Sequence, residues 1–495
     1  MKHVLAIDQG TTGSTCLMIA RDGSVKGRGY REITQHFPRP GWVEHDALDI
    51  LSKTLEAAHE AIGQANADPA AIGITNQRET VLLWERSTGT PMGRAIVWQD
   101  RRTAERCAEL TPSAARIAEL TGLVTDPYFS ATKLEWMLSD KRIRARAESG
   151  ELAAGTIDSW LVWQLTGGRV HATDPTNASR TMLYDIQKMQ WSDELCALFG
   201  VPPQLLPEVR PSAGDFGRTR SDLFGREIPI TGIAGDQQAA LYGQGCWSAG
   251  QGKNTYGTGA FLLMNTGTRR GDAGGGLLAT VACDAEGKAA YALEGSIFIA
   301  GAAVQWLRDG LGIIGSAQET EAIAQGLDST GGVYFVPALA GLGAPHWEPE
   351  ARGTIVGLTR GSSSSHLVRA ALEAMAFGTA EVLEVMRERG GASFTDEGAP
   401  LRVDGGATSN DWLMQFQADV LGCPVERPQV IETTALGAAG LAGLASGIWP
   451  DASSFLATRD YTRWTPGAGV AAALEGRQGW DRAVRATLSW ARDSA

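Results

Sequence analysis

The sequence predicts an α/β protein of two domains, and three observations support this. Short apolar strands end in polar residues and then run into helices, an arrangement typical of α/β folds with ligands at the strand ends. Turns rich in glycine and threonine occur in both halves of the chain. The length of 495 residues exceeds the usual size of a single core. We therefore predict domains at 1–244 and 245–495.

The composition excludes several classes of function. A net charge of −12 argues against binding to nucleic acid or to an anionic membrane surface. Six cysteines are scattered without the spacing of a zinc site or a disulfide framework, and the amino terminus has no signal-peptide pattern. The apolar stretch 435–448 is too short and too rich in glycine to span a bilayer. We expect a cytoplasmic protein in a reducing compartment.

The first 20 residues predict a β-hairpin on which the chemistry depends. An apolar run ends at Asp8, a turn rich in glycine and threonine follows, and residues 16–20 are apolar again. We expect Gly10 and Gly13 to take positive φ, so that backbone N–H groups converge on an anion such as phosphate. Asp8 fits this site if Mg²⁺ lies between carboxylate and phosphate. An ordinary tight hairpin, with Asp8 as a turn residue, is the alternative for this stretch.

The rest of the first half continues the α/β pattern. Residues 24–34 predict a third strand, 47–65 an amphipathic helix, and 72–75, 81–84 and 95–98 further short strands. The strand predicted at 228–236 ends in a second carboxylate, Asp236, ahead of a helix. Taken alone, this position favours a helix N-cap over a catalytic role for Asp236.

The second half repeats the glycine–threonine theme of the first. One turn, at residues 254–260, leads into the apolar strand 261–264, and Gly405-Gly406 precedes a helix predicted at 410–421. Similar turns in both halves suggest two related domains that clasp one phosphate-bearing ligand. With Asp8 and Asp236 at strand ends, they favour a nucleotide site. The sequence contains neither a GxxxxGK[ST] loop nor the HRD and DFG motifs of protein kinases.

Several longer motifs carry a resemblance to a known family. They are Asp8-Gln9-Gly10-Thr11-Thr12, Pro40-Gly41-Trp42-Val43-Glu44-His45-Asp46, Asn76-Gln77-Arg78-Glu79-Thr80, Trp98-Gln99-Asp100, Tyr128-Phe129-Ser130-Ala131-Thr132-Lys133, Gly235-Asp236-Gln237-Gln238-Ala239-Ala240 and Lys253-Asn254-Thr255-Tyr256-Gly257-Thr258-Gly259, with a C-terminal signature from Gly353 through His366-Leu367 to Glu373. Over nearly its whole length the chain resembles the FGGY carbohydrate kinases, most closely those acting on glycerol. The resemblance implies the ribonuclease H-like fold of actin, hexokinase and the heat-shock chaperones, with an ATP cleft between two domains.

The resemblance also implies a role for each residue of the polyol site. Arg78 and Glu79 hold the hydroxyls of glycerol, since a polyol needs both a donor and an acceptor. Tyr128 is a further hydroxyl contact, Asp236 is the general base with Gln237 beside it, and apolar walls come from Trp98 and Phe261. The alternatives are an exposed ion pair for Arg78 and Glu79, and core packing for the two walls.

The nucleotide and the metal are assigned in the same way. The resemblance implies that Asp8 and Asp236 associate with Mg²⁺. It places the phosphates against Thr11, Thr12, Gly13 and Thr258, and the rest of ATP against Gly301, Gln305, Gly406 and Asn410. Many relatives have serine and arginine at the positions of Gly13 and Thr15, and the chain lacks that arginine charge. Residues 216–228 lack both the Gly-Lys-Gly-Gly-Thr-Arg run and the histidine associated with regulation in some relatives.

The expected activity is ATP-dependent phosphorylation of glycerol to sn-glycerol 3-phosphate in glycerol catabolism, by in-line transfer with Asp236 as the base. We expect glycerol and ATP as partners, Mg²⁺ as cofactor, no nucleic acid, no membrane insertion, and a homo-oligomer, either dimer or tetramer. Two rivals stay open. One is a related kinase for a pentulose or longer polyol, and the other is an ATP-switched binding module. A catalytically dead relative is disfavoured because both Asp8 and Asp236 are present.

Overall fold

The computed structural model describes residues 2–390 and 399–493, in which strands and helices alternate. The strands are β1 His3–Gln9, β2 Gly13–Ala20, β3 Val25–Glu32, β4 Gln35–His36, β5 Glu44–His45, β6 Pro69–Asn76, β7 Val81–Glu85, β8 Ala95–Ile96, β9 Leu152–Thr156, β10 Ala172–Thr173, β11 Tyr184–Asp185, β12 Gln190–Trp191, β13 Glu208–Val209, β14 Ile230–Gly235, β15 Gly252–Tyr256, β16 Ala260–Gly267, β17 Leu278–Cys283, β18 Ala289–Ile297, β19 Tyr334–Val336, β20 Thr354–Val356, β21 Leu401–Asp404, β22 Val425–Pro428 and β23 Tyr461–Trp464.

The helices cover the faces of the sheets that these strands form. They are α1 Ala47–Ala65, α2 Ala104–Glu109, α3 Ala114–Thr121, α4 Ala131–Met137, α5 Lys141–Glu148, α6 Ile157–Thr166, α7 Pro175–Ala178, α8 Asp193–Leu198, α9 Ser221–Phe224, α10 Asp236–Gly243, α11 Gly301–Asp309, α12 Glu319–Gln325, α13 Ser364–Gly390, α14 Asp411–Leu421, α15 Thr433–Ala445, α16 Ala452–Leu456 and α17 Val470–Asp493. Within the described part of the chain, no helix is long and apolar enough to cross a membrane.

The first domain is built on a five-stranded sheet in the order β14-β6-β1-β2-β3. Strands β1, β2 and β3 run antiparallel, whereas β6 and β14 run parallel to β1. Alternate residues of β1 face opposite sides, since side chains alternate along a strand. Leu5 and Ile7 lie in the core cluster with α1, and Val4 and Ala6 lie in the cluster with α15. The sheet is therefore buried on both faces.

The second domain repeats this arrangement. Its seven-stranded sheet has the order β17-β18-β16-β15-β21-β22-β23. Strands β15, β16 and β18 are antiparallel, and β21 and β22 run parallel to β15, as β6 and β14 do with β1. The hairpin β15–β16 is thus the counterpart of β1–β2, which agrees with two related domains.

The local predictions hold at most of the elements that carry the site. The hairpin β1–β2 forms, and the helix predicted at 47–65 has those limits, begun by Asp46, whose side chain accepts from the backbone N–H groups of Leu48 and Asp49. The strand predicted at 95–98 is shorter than expected, since β8 ends at Ile96. A 3₁₀ turn, Gly406–Ser409, precedes α14.

Candidate active site

The hairpin β1–β2 forms a tight turn, but not through the backbone conformation that its glycines suggest. Neither Gly10 nor Gly13 has positive φ, so that prediction is wrong. The turn closes when the Gly10 N–H donates to the Gly13 carbonyl at 2.9 Å. Gly13 is required by close packing instead, because a Cβ there would lie 2.5 Å from the carbonyl oxygen of Arg31. Any side chain at this position, serine included, would force β3 to shift.

A chain of amide side chains and one buried histidine holds this turn. The side chain of Gln35 donates to the Thr11 carbonyl at 2.7 Å and accepts from Nε2 of His45 at 2.8 Å. Nδ1 of His45 accepts from Gln77, which also donates to Gln9 at 3.0 Å. Burial lowers the pKa of His45 to about 4, so the ring is neutral. The Gln35 amide nitrogen is used on Thr11, so its oxygen accepts from Nε2 of His45, which leaves Nδ1 as the acceptor. The turn between β1 and β2, which is predicted to bind phosphate, is therefore tied to the end of β6.

Arg78 and Glu79 follow β6 and are buried, so the exposed ion pair considered from the sequence is wrong. Glu79 has φ +62°, a left-handed conformation that costs free energy for a residue with a side chain. Its carbonyl accepts from Oγ of Ser130 at 2.8 Å, which helps to hold it there. Nε of Arg78 lies 3.2 Å from Oδ1 of Asp236, and Nη2 lies 3.3 Å from the Tyr128 hydroxyl. Three predicted polyol residues therefore surround the Arg78 guanidinium.

Two further charged residues complete this cluster, and sequence reasoning missed both. Glu294 on β18 accepts from Nη1 and Nη2 of Arg78 at 2.6 and 3.1 Å. Arg180, just after α7, donates from Nε to Glu79 at 2.6 Å and from Nη2 to Glu294 at 3.1 Å. Burial raises the pKa of Glu294, but Arg180 and Arg78 outweigh burial and hold it at about 2. A single charged residue within the strand β18 is the signal that the sequence offered.

The two predicted walls lie on opposite domains. Nε1 of Trp98 donates to Oγ1 of Thr11 at 2.9 Å, and its ring meets that of Tyr128 edge-on with centroids 5.6 Å apart. Trp98 thus connects the turn between β1 and β2 to the polyol cluster, the name we use for Arg78, Glu79, Tyr128, Arg180, Asp236 and Glu294. Phe261 is half-buried on β16, opposite Thr255 and Ser296 on the neighbouring strands. Both side chains are only half-buried, so neither Trp98 nor Phe261 is fully enclosed in the core of its own domain.

Asp236 is the first residue of α10, and the N-cap is Gly235. The capping interpretation of Asp236 is therefore wrong. Its carboxylate accepts from the Gln237 N–H at 2.7 Å, faces Arg78, and remains 31% exposed. A partly open carboxylate beside a buried arginine can accept a proton from a bound hydroxyl.

Lys253 is a third residue whose role the sequence did not suggest. It is buried at the start of the β15–β16 hairpin, and its Nζ donates to Oε1 of Gln237 at 2.5 Å and to Oγ1 of Thr255 at 2.7 Å. Burial lowers its pKa to about 8, although Asp404 and Asp236 oppose this shift. Lys253 therefore joins the residue beside Asp236 to the hairpin of the second domain.

The predicted nucleotide residues of the second domain line one cavity of about 580 Å³. This volume lies within the range of small-molecule sites. The predicted residues along its wall are Thr258, Gly301, Gln305, Gly406 and Asn410.

Gly301, which lines this cavity, and Gly405, which precedes the lining residue Gly406, are both needed for close backbone approach. The carbonyl oxygen of Gly257 accepts from the Gly301 N–H at 3.0 Å, and a Cβ on Gly301 would lie 2.6 Å from that same oxygen. Gly405 has φ +91°, and a Cβ there would lie 2.3 Å from the carbonyl oxygen of Tyr256. The Asn410 side chain also caps α14, accepting from the Leu413 N–H at 2.8 Å. The walls are thus set by backbone contacts.

The residues predicted for Mg²⁺ suit that ion. Burial and the charge of Asp236 raise the pKa of Asp8 to about 7, and a cation between the two would favour the ionised form. Two carboxylates are the usual protein share for Mg²⁺ that is bound with a nucleotide. Within residues 2–390 and 399–493, no group of three His, Cys, Asp or Glu side chains is placed to hold a metal.

Two domains of similar sheet topology, each with a glycine–threonine hairpin, and a nucleotide-sized cavity define a two-domain kinase of the actin and hexokinase class. Models of the FGGY family of carbohydrate kinases match both halves, the N-terminal domain at residues 3–243 and the C-terminal domain at 252–446. The chain belongs to the FGGY family of carbohydrate kinases.

Similar proteins are found among both curated sequences and solved structures. Glycerol kinase of Rhodopirellula baltica is 53% identical over 100% of this chain and 92% of its own. Glycerol kinase of Trichlorobacter lovleyi is 54% identical over 99% of this chain and 100% of its own. The crystal structure of Plasmodium falciparum glycerol kinase with ADP has a TM-score of 0.92 at 36% identity, covering 99% of this chain and 98% of that one.

Proposed function

We propose that this chain phosphorylates glycerol at the expense of ATP, giving sn-glycerol 3-phosphate and ADP. The observation that carries the proposal is the buried Arg78–Glu79 pair with Asp236 directly beside it. Arginine donates to hydroxyl oxygens and glutamate accepts from hydroxyl protons, so together they suit a small polyol. The curated relatives named glycerol kinase extend over the whole chain, which supports the same substrate.

The reaction is an in-line phosphoryl transfer in which Asp236 acts as general base. Arg78 and Glu79 hold two hydroxyls, and Asp236 accepts the proton of the terminal one. That oxygen forms a bond to the γ-phosphorus while the bond from this phosphorus to the bridging oxygen of ADP breaks. Most of the rate comes from positioning and from the charge complementarity of the site.

The two hairpins would hold the phosphates on either side of the reacting centre. The Thr11–Gly13 turn supplies N–H groups and hydroxyls from the first domain, and Thr258 supplies them from the second. Asp8 and Asp236 would hold Mg²⁺, which neutralises phosphate charge when bound. Closure of the two domains would exclude water and limit wasteful hydrolysis of ATP.

The deciding experiment is a coupled assay of ADP release with glycerol, dihydroxyacetone, xylulose or no acceptor. Glycerol-dependent release, with sn-glycerol 3-phosphate as product, is expected. Preference for xylulose would assign the chain to the pentulose kinases of the family. ATP turnover that ignores every acceptor would favour an ATP-switched module and overturn the proposal.

The setting of the enzyme is proposed on the same basis. All six cysteines are free and buried, which fits the reducing cytoplasm expected from the sequence. A homo-oligomer, dimer or tetramer, stays a proposal that light scattering of the purified protein tests directly.

A further inference from the structure

One buried carboxylate of the second domain contacts both arginines of the polyol cluster. Oε2 of Glu294 lies 2.6 Å from Nη1 of Arg78, and Oε1 lies 3.1 Å from Nη2 of Arg78 and 3.1 Å from Nη2 of Arg180. The Glu294 side chain has no exposed surface, and neither does that of Arg180. Both arginines belong to the first domain, so this contact crosses between the domains.

The strand register explains how Glu294 reaches the first domain. Leu263 on β16 lies opposite both Lys253 on β15 and Glu294 on β18. Directly opposed residues put their side chains on the same face of a sheet. Lys253 donates to Gln237 of the first domain, so this face of the second sheet is the one turned toward Asp236. Glu294 therefore stands in the row that faces the reacting centre.

We infer that Glu294 is a positioning residue for the polyol site, holding Arg78 directly and Glu79 through Arg180. The inference rests on the proposed phosphorylation of glycerol and deepens it, because it makes the second domain part of substrate recognition. Glu294 does not touch the substrate. It acts through the side chains that do.

The geometry of the pair gives the reason. Two parallel N–H···O bonds fix the plane of a guanidinium as well as its position. With both terminal nitrogens of Arg78 engaged by Glu294, the Nε edge faces Asp236 at 3.2 Å. Arg180 in turn fixes the Glu79 carboxylate at 2.6 Å. Without the Glu294 charge, Arg78 can turn toward Glu79, which already lies 3.7 Å from its Nε, and the polyol contacts lose their geometry.

The test compares Glu294→Gln and Glu294→Asp with the parent protein in the coupled ADP assay. Glu294→Gln removes the charge, and Glu294→Asp keeps the charge but shortens the side chain. We expect Glu294→Gln to raise the glycerol KM by about tenfold or more, the effect of one lost charged hydrogen bond. Glu294→Asp should lie between it and the parent. The ATP KM should change less than about threefold, since the nucleotide cavity is formed by other residues.

The matched control is Glu426→Gln. Glu426 is another buried glutamate of the same sheet, paired with Arg402 and Arg463 at 3.0 Å each and outside the polyol cluster. It should lower the melting temperature and leave the glycerol KM unchanged. This separates loss of a buried ion pair in general from loss of the one at the site.

Each result is decisive. The inference is overturned if Glu294→Gln has the same glycerol KM as the parent protein. It is also overturned if the glycerol KM and the ATP KM rise by the same factor. If Glu294→Gln does not fold, Glu294→Asp decides, since a lowered melting temperature at parental glycerol KM would make the role merely structural. A parent protein without glycerol-dependent turnover would overturn the proposed function itself, which the same assay shows before any variant is compared.

Discussion

Replacement of Asp236 by asparagine tests the proposed chemistry most directly. The side chain keeps its size, and its oxygen can still accept from the Gln237 N–H, now 2.7 Å away. It can no longer accept the proton of the attacking hydroxyl. Loss of a general base costs typically about 10²–10⁴-fold in rate, or roughly 3–5 kcal/mol of barrier.

The expected cost in stability is much smaller, and the structure shows why. The contact that loses its charge is that with Nε of Arg78 at 3.2 Å, where the Asp236 side chain is 31% exposed. A partly exposed pair contributes about 1 kcal/mol or less. Arg78 also keeps Glu294 and Glu79 as charged partners. Activity should therefore fall far more than stability.

The assay measures kcat and both KM values beside the melting temperature. Asp193→Asn is the matched control, because Asp193 also opens a helix, α8, but lies outside the cluster and the cavity. It should keep the parental kcat. If Asp236→Asn retained kcat within a few-fold of the parent at an unchanged melting temperature, Asp236 would not be the base.

Three other substitutions test the polyol cluster, the cavity and a buried lysine. Arg78→Lys keeps the charge but loses the bidentate pair, and the glycerol KM should rise by about tenfold at little change in ATP KM, measured in the coupled assay. Gly301→Ala places a methyl group 2.6 Å from the Gly257 carbonyl oxygen and should weaken ADP binding by about tenfold in calorimetry, whereas unchanged binding would place the nucleotide elsewhere. Burial lowers the pKa of Lys133 from 10.5 to about 7. Between these two pKa values Lys133 is protonated in the unfolded chain and neutral in the folded one, so the free energy of unfolding should rise with pH. Lys133→Met should remove this dependence, which amounts to up to about 1.4 kcal/mol per pH unit. Urea unfolding of both proteins at pH 7, 8 and 9 measures that slope, and equal slopes would contradict the assignment.

Local sequence signals predict the elements around the site because the physics there is local. The helix α1 begins with a capping aspartate and carries its apolar residues on one side, so its limits can be predicted. The hairpins are specified by short apolar strands joined by glycine-rich turns. The reason for Gly13, by contrast, lies in the carbonyl of Arg31 on β3, and a turn motif alone does not reveal which neighbouring backbone excludes a side chain.

What the sequence could not predict depends on contacts between distant segments. Arg180 follows Glu79 by 101 residues, and Glu294 follows Arg78 by 216. The helix α15 lies in the second half of the chain but packs on the first sheet, where Ala438 closely approaches Gly73. Small and apolar residues cover every side of α15, so its sequence does not indicate which side packs against a sheet. The sequence of α15 argues against a membrane span, but it does not indicate on which of the two sheets the helix packs. The roles of the predicted site residues stay predictions until the variants are measured.

The repeated topology also explains why the two hairpins cannot do the same work. Asp8 on β1 and Thr255 on β15 occupy corresponding places, each paired with the central parallel strand, at Thr75 and Asp404 respectively. The Asp404 carboxylate is hydrogen-bonded within the protein, where it accepts from Gln244 at 2.9 Å and from Thr433 at 2.5 Å.

Asp8 instead shares its surroundings with Asp236, and burial together with the Asp236 charge raises the pKa of Asp8. The residues that line the large cavity all come from the second domain. A repeated sheet topology with Asp8 and Asp236 on one side and the cavity on the other favours a division of roles. The first domain would handle the phosphoryl group in transfer, and the second would hold the rest of the nucleotide and, through Glu294, keep Arg78 in place.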